Sequence, residues 1–454
     1  MIGLFSKLVP SRRGLGKALV VGVLLAVAGM GVLPLYVSVR FTSHLRVARQ
    51  DLERRDEVAA RGHLRICRDL RPGDAEVQLL LARASRLGGY LADAEYRLNL
   101  CRELGGPEES ISLERALLRV QQGRWSLALE ERLQTYIDQN HPQLPAILDT
   151  LSQGYVAIYR LESARYCLDL WLELQPCDTR ALLRRGWVRE RLHQEAEAAE
   201  DYRLALTTEE DNTTARLRLA QVLLHLDLAQ EASVLFESLR QRGQDDVSVL
   251  LGLARCRRKL GESEEAGRLL EELADRAPRD SAVMLERGRL ALEQSKHEEA
   301  ENWLRQAVRL APYDYQSNYS LFLCLNQRDK PDEAEEQQRR VGRIEADMKH
   351  MNELTDRLQS RPYDADMRCE IGRLFLRNGE GREGVLWLQS ALQVAPDHRP
   401  THQALAEHYE HEGKPDLAAP HRRVLRAPSG SAPPRPDSVE NFHDRPLSQS
   451  DPRP

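Results

Sequence analysis

"HEEAENWLRQAVRLAPYDY", residues 297–315, reads as one helix that stops at Pro312. Ala300 lies near its start, and Leu304 and Ala307 follow on the same face, four and seven positions on. The pattern recurs. "SEEAGRLLEELADRAPRD", residues 263–280, holds Ala266, Leu270, Leu273 and Pro278 at the same offsets, and "LESARYCLDLWLELQPCD", residues 161–178, holds Ala164, Leu168, Trp171 and Pro176. Read along the whole chain, a small anchoring residue returns at Ala60, Ala94, Ala128, Ala164, Ala198, Ala232, Ala266, Ala300, Ala334, Gly384 and Ala418. The interval is constant along this series, apart from a slight stretch after Ala128 and a long one after Ala334. A second site, usually small, precedes each anchor by a dozen positions; Gly186, Ala254 and Gly288 are examples, and Phe322 is the one large residue there. Irregular helix bundles keep no such register, whereas stacked repeats do.

The local physics explains the pattern. Two antiparallel helices approach closely only where side chains are small, so the paired Ala/Gly sites mark a crossing. A larger residue one turn later, such as Tyr202 or Phe236, fills the gap to the next unit. Proline at positions 72, 176, 278, 312 and 396 ends the second helix because it cannot continue one. On these residues the chain resembles the tetratricopeptide-repeat family, whose helix–turn–helix unit is about 34 residues long. The resemblance covers about residues 41–426 and about eleven units. It predicts an all-α, tetratricopeptide-like helical solenoid, one extended object with neighbour-to-neighbour contacts.

The 454 residues carry a net charge of −5, with 30% charged and 5% aromatic residues. That suits a thin array with much surface. The lack of a basic excess speaks against nucleic acid as a partner. Residues 1–17 form a short basic segment. Residues 18–39, "ALVVGVLLAVAGMGVLPLYVSV", carry no charge. As a helix they would span about 33 Å, enough for a hydrocarbon core of roughly 30 Å. The sequence therefore predicts one N-terminal transmembrane helix before the repeats, a single-pass membrane location, a cytoplasmic N-terminus and repeats outside the cytoplasmic membrane. "AVA" at 26–28 leaves a cleaved signal peptide as the alternative. Residues 427–454, rich in Pro and Ser, are expected to form a disordered tail.

No phosphate loop, GxSxG elbow or HExxH motif is present, and no carboxylate pair is set as acid and base. No cofactor and no catalytic residue are expected. The seven cysteines have no CxxC spacing and read as small buried hydrophobes. His398, His402, His408, His411 and His421 form the one cluster with spacings that could suit a metal, and they leave metal binding as a lesser alternative to a solvated terminal helix.

In the tetratricopeptide family the first helix of each unit lines a concave groove that holds peptides. Carried over, that groove would present Arg83, Arg86, Arg191, Arg255, Arg258, Arg289, Arg373 and Arg377, with Gln153, Trp187, Gln221 and His225 adding stacking and hydrogen bonds. Guanidinium groups would favour an acidic protein or peptide partner. The Lys-and-Asn clamp with which some members hold chaperone tails is not matched at Leu79/Arg83, Leu113/Leu117, Asp149/Gln153 or Leu251/Arg255.

The long interval after Ala334 predicts that one second helix runs on for about four extra turns, over about residues 332–360. Val341, Ile344, Met348, Met351 and Leu358 would mark an apolar stripe on it, free for docking or self-association, unless the overhang folds back on its own chain. The reading is of a membrane-anchored scaffold or adaptor for protein–protein interactions, in envelope biogenesis or complex assembly, and not of an enzyme. A cleaved, secreted or periplasmic peptide-binding module is the alternative.

Overall fold

The computed structural model describes residues 35–426, apart from the side chain of residue 359. Among them only helices and turns occur: α1 (35–53), α2 (Glu57–Leu70), α3 (Ala75–Leu87), α4 (Leu91–Glu103), α5 (Glu108–Gln121), α6 (Leu127–Asp138), α7 (Leu144–Ala157), α8 (Leu161–Leu174), α9 (Thr179–Arg191), α10 (Glu195–Thr208), α11 (Thr213–His225), α12 (Ala229–Gln241), α13 (Val247–Lys259), α14 (Ser263–Arg276), α15 (Ser281–Glu293), α16 (His297–Leu310), α17 (Tyr315–Gln327), α18 (Pro331–Ser360), α19 (Ala365–Arg377), α20 (Gly381–Val394), α21 (Arg399–His411) and α22 (Pro415–Arg426). They alternate as first and second helices of successive units. The described residues divide into two compact bodies, 35–122 and 123–426.

Each unit is punctuated in the same two places. The first helices from α9 to α19 begin at an Asp or Asn whose side chain accepts from backbone N–H groups of the first turn: Asp178, Asn212, Asp246, Asp280, Asp314 and Asp364. That satisfies donors the helix itself cannot pair. The turn into the second helix carries one residue at positive φ, always five before the anchor: Gly89, Tyr159, His193, Asp227, Gly261, Ser295, Asp329 and Gly379 among them. A left-handed residue is what reverses the chain within so short a turn.

The small sites meet as close approaches. A Cβ added to Gly372 would lie 3.0 Å from the Gly384 carbonyl, and one added to Gly384 would lie 2.9 Å from the Gly372 carbonyl. At Gly288 the added atom would lie 2.5 Å from Leu304. In the second body the buried side chains of α10 to α15 run together as one continuous core, from Ala198 and Tyr202 through Phe236 to Leu273 and Val283.

α18 is 30 residues long, and its overhang is not bare. Val341, Ile344, Leu354 and Leu358 are buried, and Met351 is half-buried. Leu354, Leu358 and Met351 cluster with Met367, Ile371, Leu374 and Trp387 of α19 and α20. The stripe has folded onto its own chain, which leaves Met348 as its exposed member at 44%.

The single-pass membrane location is corrected. Among the described residues no helix is long and apolar enough to cross a membrane. α1 carries the chain through the expected end of the anchor into the first unit, where Phe41, Leu45, Ala48 and Leu52 pack against Ala60, Leu64 and Cys67 of α2. The rest of the expected anchor, residues 18–34, and the expected tail, 427–454, lie outside the described residues.

Candidate functional site

The inner wall of the array is set by which helices touch. In the second body α11 meets α13, α13 meets α15, α15 meets α17 and α19 meets α21. Neighbouring second helices are instead bridged by long side chains, as Arg203 to Glu231 at 3.2 Å and Arg240 to Glu272 at 3.3 Å. Crowded first helices and splayed second helices bend the stack so that the first helices face inward.

Along that wall one position returns in each first helix from α9 to α17: Leu183, Leu217, Leu251, Leu285 and Tyr319. Leu251 and Leu285 are buried and Leu183 and Leu217 half-buried, while Tyr319 and its neighbour Leu323 are each 38% exposed. Tyr319 stacks on Tyr315, with ring centroids 5.8 Å apart, and Tyr315 donates to Glu345 of α18 at 2.9 Å. The wall thus carries an apolar rail that opens into an aromatic step.

Most of the predicted arginines face acids of their own chain. In the first body Arg83 and Arg86 donate to the two oxygens of Glu114, at 2.7 and 2.9 Å. In the second, Arg255 and Arg258 grip Glu286 in the same register at 3.0 Å each, and Arg289 joins at 3.2 Å. Burial pushes both carboxyls up, but Arg86 and Arg83 hold Glu114, and Arg255, Arg258 and Arg289 hold Glu286, below the usual carboxylate range. Arg377 pairs with Asp347, and Arg191 lies over Trp187 at 5.2 Å while reaching Glu383 at 3.3 Å. Gln153 donates to Asp149 at 2.9 Å. Gln221, one turn after Leu217, is half-buried, and His225, one turn further on, is exposed. Arg373 is exposed and donates to the Pro400 carbonyl at 3.2 Å.

The late histidines do not converge on one point. His402 pairs with His421 at 2.8 Å, His398 reaches Asp366 at 3.0 Å, His408 lies 3.6 Å from Glu412, and His411 is exposed. Among the described residues no group of three or more His, Cys, Asp or Glu could hold a metal ion. The His402–His421 contact follows a rule missed in the sequence: the residue one turn before the first small site faces a fixed position on the following helix. His44 and His63, Gln78 and Arg97, and Asn318 and Gln337 obey it too. The acids Glu114 and Glu286 were also missed. Their signal was an Arg-x-x-Arg followed by Glu at the same offset in the next unit, as Arg86 and Glu114 and again as Arg258 and Glu286.

The tetratricopeptide-repeat family model matches residues 251–315. No curated protein matches the chain. Similar solved structures include a tetratricopeptide repeat protein from Parabacteroides merdae, 17% identical over 63% of this chain and 99% of its own, with a TM-score of 0.34. The tetratricopeptide protein TTC0263 of Thermus thermophilus is 21% identical over 44% of this chain and 99% of its own, with a TM-score of 0.33. Yeast Tom70 is 14% identical over 85% of each chain, with a TM-score of 0.34. The comb of small residues runs through the matched segment in the same register, at Ala254, Ala266, Gly288 and Ala300.

Proposed function

We propose that this chain, a tetratricopeptide-repeat protein, is an interaction scaffold whose inner wall holds an extended segment of another protein. The half-buried Leu183 and Leu217 and, further along the wall, the exposed Tyr319 and Leu323 carry the reading. A side chain presented at a fixed interval along a curved wall suits a partner laid along it, with apolar residues entering between units. An acidic partner would have to displace Glu114 or Glu286 from the arginines that hold them, at the cost of leaving a buried carboxylate unpaired. The exposed Arg373 is the guanidinium best placed to take up an acidic group. Apolar contact therefore sets the affinity, and charge refines it.

The test is selection of peptides from a random library on the full chain, then measurement of their affinity for Tyr319→Asp and Leu323→Asp. Loss of about tenfold or more in Kd for each variant is expected. Unchanged affinities, with binding lost on altering the outward-facing Val234 instead, would sink the reading.

A further inference from the structure

The second body touches itself across an interval no repeat interface explains. Trp125, Glu130 and Arg160 meet Tyr363, and Arg191 meets Glu383, pairs between 192 and 238 residues apart. At the centre, one Glu130 carboxylate accepts from the Tyr363 hydroxyl, from Tyr155 at 2.8 Å and from Arg160 at 2.8 Å. Trp125 donates to the Tyr363 oxygen at 3.2 Å. Beside it the Tyr159 ring lies 4.2 Å from Trp387 and joins the cluster of Leu354, Leu358, Met367 and Ile371. Fully buried Arg368 donates to the carbonyls of Ile158 and Pro362 and to the Ser390 hydroxyl.

The composition of this seam differs from that of the stack. Neighbouring units share continuous apolar cores. The seam has one inserted aromatic ring, polar bonds around it, and the partly exposed Arg191–Glu383 pair. The receptor for Tyr159 is built by the last turns of α18, where Leu354 and Leu358 lie. The extra length of that helix thus supplies the shelf on which the turn after α7 rests.

We propose that this seam is a latch gating the inner wall. Shut, it joins the α6–α8 region to α18–α20 and turns the first helices between them into the lining of a closed loop; open, it lets a partner reach that lining from the side. The latch stands on its own contacts, and its effect on binding rests on the scaffold reading above.

Tyr159 offers a clean key. Its φ is +55°, a conformation that Asn adopts more readily than Tyr, so Tyr159→Asn removes the ring without straining its own unit. The test is hydrogen exchange on the full chain carrying Tyr159→Asn with Glu383→Arg, beside Arg191→Glu with Glu383→Arg, which restores opposite charge with the ring kept. The first variant should exchange on the order of tenfold faster at residues 363–368 and 155–160 while α11 to α16 keep their protection. The second should match the parent. An unchanged pattern in the first variant overturns the latch, as does loss of protection spreading through α11 to α16, which would make the seam part of the common core. Faster exchange at the seam with unchanged peptide affinity would confirm the latch and remove its gating role. Absence of any peptide binding in the parent chain would count against the scaffold alone.

Discussion

His402 turns its Nε2–H to the Pro396 carbonyl at 2.8 Å, and its Nδ1 faces Nδ1 of His421, also at 2.8 Å. A carbonyl can only accept, so Nε2 carries the proton of a neutral His402 and its Nδ1 must accept from His421. A second proton on His421 would go to its Nε2 and place a charge on a ring whose burial disfavours it. Burial and then His402 lower the His421 pKa to about 4 from 6.5, and the Tyr409 ring stacks on its outer side.

The sign of the pH effect follows. Between pH 6.5 and about 4 the unfolded imidazole binds a proton and the folded one does not, so this contribution is complete above pH 6.5 and is lost as pH falls toward 4. Thermal melts followed by circular dichroism at pH 7 and pH 5 should show a larger drop for the parent than for His421→Gln. Equal drops would refute the assignment.

Gly288 and Gly267 should answer oppositely to a side chain. Gly288→Val places atoms against Leu304 and should cost about 1–3 kcal/mol. A Cβ at Gly267 meets nothing nearer than Leu290 at 3.8 Å, so Gly267→Ala should stabilise α14 by about 0.5–1 kcal/mol. Urea midpoints of the two variants report both signs, and a shift of the same sign in both would undo the register.

Glu286→Gln leaves Arg255, Arg258 and Arg289 facing one another without their carboxylate. A loss of about 3 kcal/mol is expected, the low end for breaking a buried ion pair because Arg255 and Arg289 reach water. Replacing Arg255 and Arg258 by Leu and Met in the same chain should recover part of it. A neutral Glu286→Gln in a denaturant melt would show that the clamp contributes nothing.

Thiol chemistry should single out one cysteine. Cys177 is exposed, whereas the other six are buried. Burial pushes Cys167 up to about 12 and Cys256 and Cys324 up to about 11. Mass spectrometry after brief maleimide treatment of the folded chain should find a single adduct, at Cys177, and seven after denaturation. Rapid native labelling of Cys167 or Cys256 would contradict the packing.

What the sequence made legible was whatever repeats. Ala300 and Leu304 state their roles because other units state the same ones, and the long interval after Ala334 stood out against them. The arginines were found by the same register, but their partners were not, because Glu286 belongs to the next unit and reads there as one more surface acid. Tyr159 and Trp387 gave no signal at all. Their meeting depends on the curvature summed over several units and on the length of α18, and no local pattern encodes that sum. The expected docking stripe failed to stay free for the same reason: Leu358 was visible as apolar, whereas the α19 and α20 side chains that cover it lay beyond the helix that defined the stripe.

An open stack of repeats can fray from its ends, each unit leaning on its neighbours, and its folding rate is set by short-range contacts. The insertion of Tyr159 beside Trp387 changes that for the stretch between them. Its loop-closure entropy is recovered only after the intervening units have formed, so the seam should be the last step of folding and a slow one. Once made, it pins the α7 and α20 regions to each other, so fraying that starts at α22 should stop at α20 for as long as the seam is shut.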